Sequence, residues 1–317
     1  MVDFWSRVEK QLSPRYVHPY KTLADTPYIV DATATVGEGS YGTVQKYNHR
    51  RGGEPLVIKT LHKIFSDEDT RKVLREIGVL EVCDHKNIIQ LVEAFTLEED
   101  DQSMHLVIIP WAPCTLEGFL HLNDTKRQNR YPWFEPGSLK SDRSIYRIMY
   151  ELADAISYLH CRSIKHKDLK PENILLYREG TSQVTPLITD FGVSKIYMPN
   201  AKTNYQDSTY IYLAPEQHNM KASTLESDIW QLGCCFAELL AVAKGGTSTY
   251  RKLGDNSFRR EGSSWCIAGE HGPFMKALAE ICTPSNATLK RVYVITAGML
   301  ALDPADRLDI GVVKTAF

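Results

Sequence analysis

Apolar residues change their rhythm once along this chain, near Pro110, and that change limits the folds open to it. From Tyr28 to Pro110 short β-like runs dominate, broken by one helical stretch over 66–83. In that stretch Val73, Leu74, Ile77 and Leu80 recur at helical spacing. Ser66 stands where a cap belongs, and Asp67-Glu68-Asp69 suit the positive end of a helix dipole. Strand-like runs over 89–97 and 104–110 flank an acidic turn at 98–101. After Trp111 the pattern is mostly helical. Ile145, Ile148, Met149, Leu152, Ile156 and Leu159 mark one amphipathic helix over 143–159. The expected class is α+β.

Composition narrows the function classes. A chain of 317 residues holds one large or two modest domains. Its net charge of −2 gives no electrostatic case for nucleic acid or an anionic membrane. The seven cysteines are scattered without a C-x-x-C pair, and Cys234 and Cys235 point apart on an expected helix, the usage of a reduced compartment. Met1 to Arg7 has no apolar signal region, and no run approaches the ~20 apolar residues that span a bilayer. The expectation is a soluble intracellular protein, cytoplasmic or nuclear, with oligomeric state left open. Residues 1–27, punctuated by Pro14, Pro19 and Pro27, read as a flank. Two polar stretches read as solvated insertions: 125–141, basic around Tyr131-Pro132-Trp133-Phe134, and 244–272, with six of the nineteen glycines.

The chemistry concentrates in His166-Lys167-Asp168-Leu169-Lys170-Pro171-Glu172-Asn173. An Asp able to take a hydroxyl proton lies five residues before an Asn able to hold a metal ion, with a Lys between them that can steady a phosphate. Upstream, Gly37-Glu38-Gly39-Ser40-Tyr41-Gly42-Thr43-Val44 fits G-x-G-x-x-G-x-V. A dinucleotide fold would need a helix straight after those glycines, whereas 43–47 alternate like a strand, so a hairpin tip is expected. Lys59 ends the apolar run Leu56-Val57-Ile58, where a lone ammonium is costly, and Glu76 lies 17 residues later as its natural partner. Asp190-Phe191-Gly192 follows Asp168 by 22 residues, and Ala214-Pro215-Glu216 closes a segment 26 residues after Asp190.

Six such elements in this order resemble the eukaryotic protein kinase superfamily, from about Tyr28 to the last residue. The resemblance implies a bilobal kinase fold: an N-terminal flank (1–27), an antiparallel β-sheet N-lobe with one helix (28–110) and a mainly helical C-lobe (111–317). It implies transfer of the ATP γ-phosphate to Ser or Thr hydroxyls of protein substrates, with ATP and Mg2+ as cofactors. Asp168 is then the base, with Lys170, Lys59, Glu76 and Thr209 beside it, and Asn173 and Asp190 hold Mg2+. The nucleotide would meet Val36, Gly37, Gly39, Tyr41, Gly42, Val44, Val57, Lys59, Ile108, Ile109, Trp111 and Leu175, with adenine held by the Ile109 carbonyl and the Trp111 N–H. Lys170-Pro171-Glu172 and Thr209 favour Ser/Thr over Tyr. Asp228 is expected to brace the catalytic loop, Arg307 to pair with Glu216, and His160 and His166 to be structural.

Two departures stand out. Val57 occupies a position that is usually Ala, which narrows the roof over adenine. Lys167 replaces an Arg whose planar fork clamps a phosphorylated loop, so control through Thr203, Tyr205 or Ser208 is expected to be weaker or unnecessary. These two residues are the support for the alternative, a pseudokinase acting as a scaffold or allosteric partner. A small-molecule kinase would have no reason to keep Ala214-Pro215-Glu216 with Thr209 as a docking segment. Glu172 could attract a basic substrate residue, but Thr115 at the end of the hinge argues against a strong arginine requirement. Ten residues follow Arg307, so a brief last helix and a chain cut short are expected.

Overall fold

Alternating side chains in the first third of the chain make a two-faced sheet. The computed structural model describes residues 17–34, 37–39, 42–62, 64–179, 183–191, 195–196, 210–218, 223–255, 266–282 and 287–317. They belong to two compact units divided between Ala112 and Pro113. The first contains β1 (Val17–Tyr20), β2 (Tyr28–Val30), β3 (Gly37–Gly39), β4 (Gly42–His49), β5 (Leu56–Leu61), α1 (Asp67–Val82), β6 (Gln90–Leu97) and β7 (Asp100–Ile109). The seven strands run in the order β1-β6-β7-β5-β4-β2, with β3 paired to β4. All pairings are antiparallel except that of β1 with β6.

Successive residues of β5 point to opposite faces. Leu56 and Ile58 join Tyr28, Tyr47, Phe95, Leu97 and Val107 in one core, flanked by Tyr20, Leu23 and Ile109. Val57 and Lys59 point the other way. They lie opposite Lys46 and Val44 in the β4–β5 register and opposite Ile108 and Leu106 in the β5–β7 register.

The expected flank is part of this sheet where it is described: Val17 to Tyr20 pair with Ala94 to Leu97. Glu93 ties it down, accepting from Tyr28 Oη and meeting His18 Nδ1 at 3.0 Å. The turn expected at 98–101 shrinks to two residues, because Leu97 pairs directly with Asp100. Four acids in a row read as loop, yet a hairpin edge leaves such side chains in water.

The second unit is mainly helical. Its elements are α2 (Leu116–His121), α3 (Asp124–Arg130), α4 (Leu139–Cys161), β8 (Ile164–Lys165), β9 (Ile174–Glu179), β10 (Gln183–Ile188), β11 (Lys195–Ile196), α5 (Pro215–His218), α6 (Leu225–Asp255), α7 (His271–Ile281), α8 (Ala287–Met299) and α9 (Ile310–Thr315). Strands pair only as β9 with β10 and β8 with β11 among the described residues. α6 packs on α4, α7 and α8, and α9 packs on α4.

The segment expected as a solvated insertion at 125–141 instead sends several side chains into the core while the rest stay at the surface. Tyr131, Trp133 and Phe134 are buried around Phe119, with ring centroids 5.1–5.8 Å from it. Arg127 is fully buried there. Its guanidinium donates to the carbonyls of Phe119, Leu120 and Leu122 and pairs with Asp124 at 2.6 Å. A helix end leaves carbonyls without intrahelical donors, and Arg127 supplies them for α2. Of the stretch at 244–272, residues up to Asp255 continue α6 past a break at Gly245-Gly246, 256–265 lie outside the described residues, and His271 opens α7. Cys234 and Cys235 are both buried in α6, and no described helix is long and apolar enough to cross a membrane.

Candidate active site

In the first unit the decisive pair is made. Ser66 accepts from Asp69 N at 3.1 Å and starts α1, whose apolar stripe, Val73, Ile77 and Leu80, is buried. Helical spacing puts Glu76 on a buried face, and its Oε1 is 2.7 Å from Lys59 Nζ. The ammonium that β5 carries inward is thus neutralised. Val44, Val57 and Ile108 share the face of Lys59.

The glycine hairpin has two kinds of glycine. A Cβ on Gly42 would stand 1.8 Å from the Thr60 carbonyl oxygen, so the close approach of β4 to β5 demands glycine. A Cβ on Gly37 would meet nothing closer than 3.7 Å, so packing within the chain does not require glycine there. Gly39 pairs with Gly42 across the hairpin, as the alternation at 43–47 foretold. Val36 and Tyr41 lie outside the described residues.

One expected contact is spent elsewhere. The Trp111 N–H, the expected donor to adenine, donates to the Pro55 carbonyl at 3.2 Å. Pro55 precedes β5, and the antiparallel β5–β7 pairing carries the chain after Ile109 back beside it.

In the second unit the loop after β8 is held from beneath by α6. Asp228 accepts from His166 N and Lys167 N, each at 2.8 Å, and from His160 Nε2 at 3.0 Å. Burial pulls its carboxyl up, but the His160 hydrogen bond and charge, with His166 and the Lys167 N–H, outweigh that and leave it below its ordinary value. Gln231, one turn further along α6, accepts from Leu169 N at 3.0 Å and donates to Lys167 O at 2.9 Å. The sequence reading gave Gln231 no role, although its spacing from Asp228 was the available signal. Lys167, at φ +75° and fully buried, belongs to this scaffold.

Asp168 and its partners converge on this base. Oδ2 of Asp168 lies 2.9 Å from Lys170 Nζ and accepts from Asn173 Nδ2 at 3.1 Å. The same Nδ2 donates to the Asp168 carbonyl at 2.8 Å. Thr189 N donates to Asn173 O at 3.0 Å, and Thr189 O accepts from His166 Nε2 at 2.9 Å. The end of β10 is thereby fixed beside the loop. Asp190 follows at φ +64°, a left-handed conformation that Asp tolerates better than most residues. Phe191 is buried with its ring centroid 5.0 Å from that of His166. Leu175 on β9 bridges to Thr115, which caps α2 by accepting from Gly118 N at 3.0 Å. Gly192, Thr203, Tyr205, Ser208 and Thr209 lie outside the described residues.

Away from the loop, Arg307 forks onto Glu216 at 2.9 and 3.0 Å, as its place in the sequence led one to expect. Tyr212 Oη donates to Glu238 at 3.4 Å. The Glu238 carboxyl is held well above its usual value, first by burial and then by repulsion from Glu117 and Glu172.

Comparison with known proteins agrees with this geometry. The family model described as "Protein kinase domain" matches residues 30–314. Cyclin-dependent kinase-like 4 of Mus musculus is 35% identical over 210 residues, covering 65% of this chain and 55% of that protein. Mitogen-activated protein kinase 11 of Oryza sativa subsp. japonica is 29% identical over 214 residues, 65% of this chain and 34% of that protein. Aurora kinase of Schizosaccharomyces pombe is 29% identical over 226 residues, 69% of this chain and 58% of that protein. The chain spans about a third to three-fifths of the length of these relatives. With a curled sheet and one helix in the first unit, a helical second unit, and a family match over nearly its whole length, the chain belongs to the protein kinase family.

Proposed function

We propose that this chain is an ATP- and Mg2+-dependent protein serine/threonine kinase. The observation that carries the reading is Asp168, held through Oδ2 by Lys170 and Asn173 on a loop anchored to α6. Asp168 orients a Ser or Thr hydroxyl of a protein substrate and takes its proton. The hydroxyl oxygen bonds to the γ-phosphorus as the bond from that phosphorus to the β–γ bridging oxygen breaks, and ADP leaves. Lys170 is placed to neutralise charge on the phosphoryl oxygens in transit. Bound Mg2+·ATP supplies the phosphoryl group and further neutralisation.

The donor set fits the metal. Asn173 spends its amide N–H groups on Asp168, so its Oδ1, together with the Asp190 carboxylate, would hold the metal. Among the described residues no group of three His, Cys, Asp or Glu side chains is arranged to hold a metal ion. Mg2+ takes few protein oxygens and completes its shell with phosphate and water, so a two-residue set suits it. On the first unit, Lys59 steadied by Glu76 offers a charge to phosphates, and Val44, Val57 and Ile108 offer an apolar wall to the base. Lys170-Pro171-Glu172 supports Ser/Thr over Tyr acceptors.

The test is transfer of radiolabelled phosphate from Mg·ATP to a generic basic protein and to the chain itself, beside Asp168→Asn. Label on Ser or Thr that disappears in the variant is expected. Absence of transfer by the unaltered chain sinks the proposal.

A further inference from the structure

Lys46 shares the sheet face of Val57 and Lys59 and had no part in the sequence reading. Its ammonium lies 4.2 Å from the Trp111 ring centroid and 2.8 Å from Asp31 Oδ2. Asp31 also accepts from Thr33 N at 3.0 Å and Thr33 Oγ1 at 2.6 Å. The Lys46 hydrogen bond first, and those of Thr33 next, hold the Asp31 carboxyl at about 2, so it stays charged throughout the working range. Trp111 is therefore fixed twice, through its ring by Lys46 and through its N–H by the Pro55 carbonyl at 3.2 Å.

That arrangement bears on how a purine base is read. Adenine presents a donor at N6 and an acceptor at N1. Guanine presents donors at N1 and N2. An adenine-reading edge pairs an acceptor for the N6 amino group with a donor facing N1, and the donor expected here is committed within the chain. We infer that this protein binds ATP without a hydrogen bond to N1 of the base. Affinity then comes from the phosphates and from the apolar face of Val44, Val57 and Ile108. The inference rests on the kinase reading above, which places the base beside the segment after β7.

The experiment is displacement of a fluorescent ATP analogue from the unaltered chain in Mg2+ by ATP and by 1-deaza-ATP, whose N1 is a C–H. Dissociation constants within about threefold of each other are expected. An unmade hydrogen bond costs about tenfold in binding. A larger loss with 1-deaza-ATP shows that Trp111 N–H leaves Pro55 to meet the base, and overturns the inference. Failure of ATP to bind overturns the kinase reading itself and the inference with it, which distinguishes that failure from the first.

Discussion

Lys59 and Glu76 show what one charge pair is worth inside a wall of apolar residues. Glu76 is buried, so Lys59→Met leaves a carboxylate without its counter-ion, at a cost of about 3–5 kcal/mol. Lys59→Met/Glu76→Leu, which removes both charges, is expected to recover most of that loss in urea denaturation without nucleotide. Glu238 makes the opposite case, a carboxyl raised in the folded state by burial and by Glu117 and Glu172. A raised carboxyl contributes stability below the unfolded value near 4.5, and that stability is lost as pH rises toward the folded value. Glu238→Gln should therefore raise the melting temperature more at pH 8 than at pH 4. Equal shifts at both would show that Glu238 is not under this strain. At this scale the Lys59–Glu76 pair was legible in the sequence from residue type and spacing. The sequence held no sign of the Pro55 partner of the Trp111 N–H, since the partner of a backbone N–H depends on which strand lies alongside rather than on the side chain.

Within single elements, the glycine hairpin separates packing from function. Gly42→Ala must push β4 away from Thr60, and loss of cooperative folding is expected by circular dichroism. Gly37→Ala meets no close atom, and the melting temperature should stay within a few degrees. A weaker nucleotide affinity in that stable variant would assign Gly37 to phosphate approach. α1 was legible in its cap, its acids and its apolar stripe. β1 and α3 were not. β1 gains its place from parallel pairing with residues more than seventy positions away, which local alternation cannot report. α3 is short and basic and reads as loop. Its reason for order is Arg127, whose guanidinium lies over the rings of Phe119 and Phe134 while it serves the end of α2. A charged residue type hides that role.

Across the second unit, distant segments are joined by few, buried polar links. Arg307, fully buried as a side chain, connects the C-terminal segment to α5 through Glu216 and to the Glu226 carbonyl at the start of α6. Ser227 Oγ donates to the same Glu216 at 2.7 Å. Arg307→Met should lower the unfolding free energy by about 3–5 kcal/mol in denaturant titration, because Glu216 keeps its charge and loses its partner. A change below about 1 kcal/mol would show that the link carries little. The division into strands first and helices after was readable from rhythm alone. Of the α6 contacts that shape the loop, Asp228 was read from its motif, while Gln231, signalled only by its spacing from Asp228, was not.

Asp228 has a further consequence, on the axis of time. The amides of His166 and Lys167 end on a fully buried carboxylate in the first turn of the unit's core helix. Loops ordinarily open locally, and their amide hydrogens exchange with water long before those of the core. Here the loop cannot release those two amides without disturbing α6. Their exchange should be as slow as that of the helix interior, so the reactive segment is among the last parts of the molecule to come apart.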